Sequence, residues 1–194
     1  MEMPEGTDPI MGYDNLVYAI QERLQMGQTP VKVTDHIYKL EGNTDMYYWW
    51  GSPNRVDLAV EIEKTPQSLV VGLLGKNPLL KGQSPYASDL YVAIVNDSEL
   101  SLLLSDQKVS AEGLKVWKTL VELGYSITVY DSQTPGQSRK TIQDPDQLDQ
   151  YFGHKQPEFT RYRYVLSKPG MQLWETVAFF NTRRYREFAG MENP

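Results

Sequence analysis

The stretch that most constrains the fold is "RVDLAVEIEKTPQSLVVGLL", residues 55–74. Its first half alternates between apolar and other residues, which is the period of a strand with one buried and one wet face. "TPQS" then predicts a turn, with Pro66 at its second position. The continuous apolar run "LVVGLL" predicts a returning strand that lies more centrally in a sheet. These features predict an antiparallel hairpin, with Glu61 and Glu63 on its wet face.

Before the hairpin, capping and spacing signals predict a first helix. Asp14 is a good N-cap, apolar residues follow at helical spacing, and Gly27 suits the position after the last turn. We therefore expect a helix over 14–26, preceded by a flexible tail over 1–11. "VKVTDHIYKL" then reads as a strand that breaks near Asp35.

The middle of the chain reads as strand, loop, helix and strand. Ser110 is a strong N-cap, and Glu112 in the first turn is favourably placed against the helix dipole. Gly124 ends the helix, which is predicted over 110–123. The residues that form its apolar stripe are Leu114, Trp117, Leu120 and Val121. "YSITVYD" is the strand that follows.

The remaining segments complete the pattern. "DLYVAIV", residues 89–95, reads as a strand, and "LSLLL" reads as its hairpin partner. Residues 132–146 read as a long polar loop, which leads to a short helix with Asp144 as its cap and Pro145 in its first turn. "EFTRYRYVLSK" reads as a late strand. Residues 171–188 are predicted to form a C-terminal helix.

These elements predict a single α/β domain over residues 12–194, with its core over about 14–167. Its sheet is expected to be mixed, largely antiparallel and six- or seven-stranded, with a central helix and a helix at each end. The length of 194 residues suits one domain of this kind.

Composition excludes several classes of site. The chain has no cysteine and only two histidines, so thiol chemistry is excluded and a histidine-rich metal centre is not expected. The net charge of -6 gives no strong nucleic-acid signal, although "NTRRYREF" is either a solvated helix face or a contact for a partner or a nucleic acid. No apolar run is long enough to span a membrane, and the N-terminus lacks the pattern of a secretory signal. A cytoplasmic protein is the simplest expectation.

The loop "SDQKVSAEG", residues 105–113, is the first candidate site. A helix N-terminus has backbone N–H groups without intrahelical partners and the positive end of a dipole, so it can hold a phosphate. Gly113 would leave space for a ligand to approach. The alternative is that Ser110 and Glu112 only cap the helix, and that Gly113 lets it lie close to a strand.

The order of these elements resembles the GNAT superfamily of N-acetyltransferases. In that family the loop before the central helix, usually Q/R-x-x-G-x-G/A, grips the pyrophosphate of acetyl-CoA through backbone N–H groups. A tyrosine on the next short helix often protonates the departing thiolate. By position, the resemblance implies Tyr151 as that tyrosine. The loop residues that it implies as cofactor-binding are Val109, Ser110, Ala111, Glu112, Gly113 and Leu114.

The resemblance also implies a mechanism of direct transfer, in which a neutral amine attacks the thioester carbonyl and the sulfur leaves as a thiol. Glu61 and Glu63 could accept the proton of the amine, directly or through water. Alternatively they are ordinary solvated residues of a strand. Tyr151 has an alternative too, as an aromatic side chain packed beside Phe152.

The run "MYYWWG", residues 46–51, cannot place its four aromatic rings on one side of a strand. Tyr47 and Trp49 would point one way, and Tyr48 and Trp50 the other, so both faces must be covered. A core on one side with a ligand or protein partner on the other explains this, since tyrosine and tryptophan are enriched at interfaces. A homo-oligomer through these four residues is one such arrangement. A core with a lid from the C-terminal helix is the alternative.

Two functions from different classes therefore stay open. The first is an N-acyltransferase that moves an acetyl group from acetyl-CoA to an amine substrate. The second is a non-catalytic binding or assembly protein that uses the same fold and its aromatic patches to hold a protein partner.

Overall fold

The structure is a computed structural model, in which residues 9–66, 68–99, 102–106, 109–131, 139–152 and 161–169 are described. The chain divides into two compact units. Unit 1 comprises residues 1–65 and 69–97, and unit 2 comprises residues 66–68 and 98–194. The predicted C-terminal helix and residues 1–8 of the predicted tail lie outside the described residues.

Unit 1 contains an antiparallel sheet in which strands that follow each other in the chain are neighbours. Its strands are β1 (Val31–Lys32), β2 (Ile37–Leu40), β3 (Thr44–Gly51), β4 (Arg55–Lys64) and β5 (Leu69–Lys76). The predicted hairpin is confirmed as β4 and β5, in which Leu58 pairs with Lys76 and Lys64 with Leu69. The predicted break near Asp35 is confirmed as the gap between β1 and β2.

The first helix, α1 (Pro9–Gln25), packs on this sheet. It begins before the predicted Asp14, so residues 9–11 are helical. Gly27 ends it with a φ of 89°, and the N–H of Gln28 donates to the carbonyl of Arg23. The buried residues of this core are Leu16, Ile20, Leu40, Met46, Tyr48, Val56 and Ala59.

The second helix lies where the sequence predicted a strand. Residues 89–95 were expected to form a strand, but they lie within α2 (Ala87–Asp97). The prediction was wrong because a short, nearly continuous apolar run fits a buried strand and a buried helix equally well. The buried apolar residues of α2 recur at the spacing of one helical stripe, and they are Leu90, Tyr91, Ile94 and Val95. Ser88 in its first turn is buried as well.

Unit 2 contains strand β6 (Leu102–Leu104), helix α3 (Ala111–Glu122), and strands β7 (Ile127–Asp131), β8 (Arg139–Ile142) and β9 (Tyr162–Ser167). Its strand order is β6-β9-β7-β8, and each neighbouring pair is antiparallel. A 3-10 helix, Pro145–Tyr151, precedes β9, with the predicted Asp144 as its N-cap and a capping box to Gln147. Helix α3 confirms the predicted central helix and buries the predicted stripe.

Two further expectations need correction. Strand β8 lies within residues 132–146, which were expected to be a loop, because its sequence "RKTI" is too short and polar to give a strand signal. The described residues contain nine strands, more than the six or seven predicted. No helix in the described part of the chain is long and apolar enough to cross a membrane.

Candidate functional site

At the start of α3, the predicted phosphate site, the capping residue occupies one backbone amide. The Ser110 Oγ accepts a hydrogen bond from the N–H of Gly113 at 3.0 Å, and the carbonyl of Ser110 accepts one from Leu114 at 2.8 Å. A Cβ added to Gly113 would lie 3.3 Å from the Ser110 Oγ and from Cγ1 of Val109. Ser110 therefore serves as a helix cap, as in the alternative interpretation, and leaves little room beside Gly113.

The other predicted residues of this loop are less informative. Glu112 forms an ion pair with Lys115 at 3.2 Å, Ala111 is exposed, and Leu114 is buried in the core of unit 2. A role for these residues in cofactor binding stays a prediction.

Tyr151 is packed as an aromatic side chain. Its ring meets that of Tyr162 edge to face, with centroids 5.1 Å apart, and the Nζ of Lys140 lies 6.0 Å from its centroid. Its carbonyl accepts a hydrogen bond from the hydroxyl of Tyr164 at 3.2 Å. Its predicted role as an acid stays a prediction.

The 3-10 helix that carries Tyr151 contacts the middle of α3. The Nζ of Lys118 lies 2.8 Å from Oδ1 of Asp149 and 3.7 Å from Oδ1 of Asp146. Lys118 is seven residues beyond Ala111, which corresponds to about 10 Å along a helix axis. The ion pairs between this segment and α3 therefore lie at the middle of α3, away from its predicted phosphate site.

The predicted bases lie in unit 1, on the face of β4 that also carries Ala59. Glu61 pairs with Met46, and Glu63 pairs with Thr44 and Val70. Glu61 is half-buried, whereas Glu63 is exposed. Their roles stay predictions.

The alternation that placed these glutamates on a wet face is wrong for the first half of β4. Asp57 and Ala59, which it assigns to solvent, are both buried. Ala59 belongs to the core under α1, and Asp57 is held by polar partners. On this face of β4, solvent exposure therefore begins at Glu61 and is greatest at Glu63.

The aromatic run on β3 is covered on both faces by helices of unit 1. Tyr48 lies in the core under α1, while the hydroxyl of Tyr47 donates to Oδ2 of Asp97, at the end of α2, at 3.0 Å. Only 2% of Tyr47 and 3% of Tyr48 are exposed. A homo-oligomer or partner interface at this run would therefore have to use Trp49 and Trp50. Trp49 stacks on His36, and Trp50 is 36% exposed.

Asp97 joins α2 to the sheet through two partners. The Nζ of Lys39 lies 2.9 Å from the same Oδ2 that Tyr47 contacts, and 3.1 Å from Oε1 of Glu41. Burial, followed by the charge of Asp97, raises the pKa of Tyr47 far above its usual range. Burial alone would lower the pKa of Lys39, but hydrogen bonds to Asp97 and Glu41 outweigh it and raise that pKa. Asp97 thus connects the end of α2 to side chains of β2 and β3.

A second strand–loop–helix unit, which the sequence analysis missed, connects β5 to α2. Its loop begins at Asn77, whose Oδ1 accepts from the N–H of Leu79 at 3.1 Å and caps a 3-10 turn, Pro78–Leu80. The N–H of Asn77 donates to the carbonyl of Asp57 at 2.9 Å. Gly82 has a φ of 75° and open space around its missing Cβ. The loop is therefore anchored at the end of β5.

The start of α2 has no capping side chain of the usual kind. The carbonyl of Tyr86 accepts hydrogen bonds from Asp89 and Leu90, so the helix begins just after Tyr86. A tyrosine hydroxyl is too far from its own backbone to cap the first amides. Instead the ring of Tyr86, which is 49% exposed, lies 5.1 Å from the Nζ of Lys76.

The buried side chain of Asp57 contacts the loop between β5 and α2. The Asp57 Oδ1 lies 2.5 Å from Nε of Arg55 and 3.5 Å from Nδ2 of Asn77. A Cβ on Gly51 would lie 1.7 Å from Oδ2 of Asp57, so the carboxylate occupies the space that any larger residue would need. Asn77 lies twenty residues from Asp57, and no local sequence signal reveals their contact.

The donor sets for a metal are not found: no group of three or more histidine or acidic side chains in the described residues could hold an ion. The described site is thus one of lysines, backbone amides and a buried carboxylate.

Comparison with known proteins adds one structure. No family model matches the sequence, and no curated protein matches it. A crystal structure of a Bacillus subtilis acetyltransferase in complex with CoA is similar over 86% of this chain and 95% of that chain, at 13% sequence identity and a TM-score of 0.39.

Proposed function

We propose that the chain binds a CoA-type acyl donor at the start of α2 and transfers its acyl group to an amine. The observation that supports this is the helix start after Tyr86. The first amides of a helix have no intrahelical acceptors, and together with the dipole they favour a phosphate. The third amide is occupied at both helix starts, that of Gly113 by the Ser110 Oγ and that of Asp89 by the carbonyl of Tyr86. What favours α2 is the pair of lysines near its first two amides.

Charge near this start suits a polyphosphate. Lys76 ends β5 with its ammonium beside Gln83 and Tyr86, and Lys81 is exposed within the same loop. These two lysines would hold the phosphates as point charges, while the amides of α2 would orient them. In a chain of net charge -6, such a local arrangement is needed to attract an anion.

The chemistry would be direct transfer, with the amine attacking the thioester carbonyl. Glu61 is the nearer of the two predicted bases to the loop along β4. It lies three residues from Leu58, the partner of Lys76, which is about 10 Å along a strand. Proton transfer to Glu61 would therefore pass through water or require a substrate that spans this distance.

Thermal melting with and without acetyl-CoA tests the proposal. A ligand at about 100 times its dissociation constant stabilises the folded state by roughly 2.7 kcal/mol. We expect Lys81→Gln to reduce this stabilisation, and the matched Lys115→Gln, at the start of α3, to leave it unchanged. An unchanged melt of the wild-type chain across millimolar acetyl-CoA would reject the proposal.

A second candidate function is partner binding without catalysis. It is favoured by the loop sequences, since neither Lys81–Tyr86 nor Gln107–Glu112 fits the pattern Q/R-x-x-G-x-G/A. Trp50 supports it as well, as a large aromatic side chain that is kept partly in solvent. Sedimentation of the wild-type chain and of Trp50→Ala would test self-association, and a monomer in both would remove the homo-oligomer from this hypothesis.

A further inference from the structure

The carboxylate of Asp57 lies where β3, β4 and the loop between β5 and α2 come together. Only 5% of this residue is exposed. Its Oδ1 accepts a hydrogen bond from Nε of Arg55 at 2.5 Å and lies 3.5 Å from Nδ2 of Asn77, the first residue of the loop. Its Oδ2 lies against the end of β3, because a Cβ on Gly51 would be 1.7 Å from it. The carboxylate is thus confined to one position, next to the start of the loop.

The side chain of Asn77 has two ends with opposite hydrogen-bonding character. Its Nδ2 can only donate and faces the carboxylate of Asp57, while its Oδ1 can only accept and receives the N–H of Leu79 at 3.1 Å. In the reversed orientation the oxygen of Asn77 would face a carboxylate oxygen, and the NH₂ group would face the N–H of Leu79. Asp57 therefore selects the orientation in which Asn77 caps the 3-10 turn.

The capped turn is continuous with the two lysines of the proposed anion site. The N–H of Lys81 donates to the carbonyl of Pro78 at 3.3 Å, so the backbone of this lysine belongs to the turn. The N–H of Gln83 donates to the carbonyl of Leu80 at 2.9 Å, and the carbonyl of Gln83 accepts from Nζ of Lys76. The orientation of the Asn77 amide therefore affects where both ammonium groups lie.

We propose that Asp57 is a positioning residue of the anion site, which orients the amide of Asn77 and through it the turn that carries Lys81. Asp57 does not touch the ligand and acts only through Asn77. Its effect on ligand affinity rests on the proposed function, whereas its effect on the turn needs no ligand.

The first test measures hydrogen exchange at the amide of Leu79 by NMR, without ligand. Asp57→Leu keeps the branched shape of the side chain but removes the acceptor, and should raise this exchange rate about tenfold. Asp57→Asn keeps one oxygen and should raise it less. The control is Asp45→Leu, which removes another buried carboxylate, one that accepts from Lys64. Asp45 pairs with Ile62, five residues or about 17 Å along β4 from Asp57, so exchange at Leu79 should not change.

A second variant separates orientation of the amide from general support of the fold. Asn77→Ser keeps a good capping oxygen for Leu79 but has no amide to orient. In this background Asp57→Leu should change the exchange of Leu79 much less than it does in the wild type. An equal increase in both backgrounds would show that Asp57 does not act through Asn77 and would overturn the inference. No increase at Leu79 in either variant of Asp57 would overturn it as well.

Titration of the same variants with acetyl-CoA tests the effect on the site. The dissociation constant should rise about tenfold in Asp57→Leu and stay unchanged in Asp45→Leu. Faster exchange at Leu79 with an unchanged dissociation constant would overturn the role of Asp57 at the anion site. A wild-type chain that does not bind acetyl-CoA would reject the proposed function, while the exchange of Leu79 would still decide whether Asp57 orients Asn77.

Discussion

The two helix starts of this chain differ in what their preceding residue can do. Ser110 accepts a hydrogen bond from the N–H of Gly113 and caps the start of α3. Tyr86 precedes α2 but directs its ring to Lys76. A short capping side chain is the sequence signal of a helix start. The same side chain also occupies one of the backbone amides of that start. We propose that the less recognisable start, that of α2, is the anion site.

The largest change in stability is expected from a substitution in β5, the strand that leads to the α2 loop. In Gly75→Ala the new Cβ would lie 2.5 Å from Cα and 2.6 Å from N of Tyr13, which are backbone atoms of α1. Because backbone cannot move aside locally, we expect a loss of about 3 kcal/mol in the free energy of unfolding, measured in urea.

The matched control is Gly113→Ala at the start of α3. Its Cβ would meet only side-chain atoms, at 3.3 Å, and alanine improves helix propensity by about 1 kcal/mol. The net change should therefore be small. Equal losses for the two variants would show that the close approach of α1 to Gly75 is not what constrains unit 1.

The opposite end of α2 gives the next largest effect. Tyr47→Phe keeps the buried ring but removes the hydroxyl that donates to Asp97. Since the acceptor is a carboxylate, the variant should lose about 1.5 kcal/mol at pH 7 by urea unfolding. Tyr38→Phe, on a half-buried ring of β2, is a control that should change stability less.

The same pair predicts a pH dependence. The pKa of Tyr47 is raised in the folded chain, so its contribution to stability is complete below the unfolded value of about 10 and declines as the pH rises above it. The gap in stability between wild type and Tyr47→Phe should hold from pH 7 to 9 and narrow above pH 10. A gap that widens above pH 10 would contradict the raised pKa.

The smallest expected effect concerns the start of α3. Ser110→Ala removes the cap of Gly113 and should destabilise the chain by about 1 kcal/mol. It should leave the response to acetyl-CoA unchanged, because the proposed anion site is at α2. A weaker acetyl-CoA response in this variant would instead support the site predicted from the sequence over residues 109–114.

Local signals explain which parts of the fold could be predicted. The hairpin of β4 and β5, the cap at Ser110 and the cap at Asp144 each depend on residues within one turn or strand, and all three are confirmed. Helix α2 was missed because its short, nearly continuous apolar run fits a buried strand as well as a buried helix. Strand β8 was missed because it is short and polar.

The site was harder to predict than the fold, for a physical reason. Asp57 looked like a solvated strand residue, yet it is buried and contacts Asn77, twenty residues further along the chain. Tyr47 looked available to a partner, yet its hydroxyl is held by Asp97, fifty residues away. Such polar contacts depend on the folded arrangement of unit 1, and neither composition nor periodicity encodes them.

Amide chemical shifts measured during a titration with CoA test the central claim most directly. With a ¹⁵N-labelled chain, binding at the start of α2 predicts that the amide resonances of Ala87 and Ser88 shift with a common dissociation constant. The amide resonances of Ala111 and Glu112 should not shift. Shifts confined to Ala111 and Glu112, or no shifts at millimolar CoA, would contradict the account.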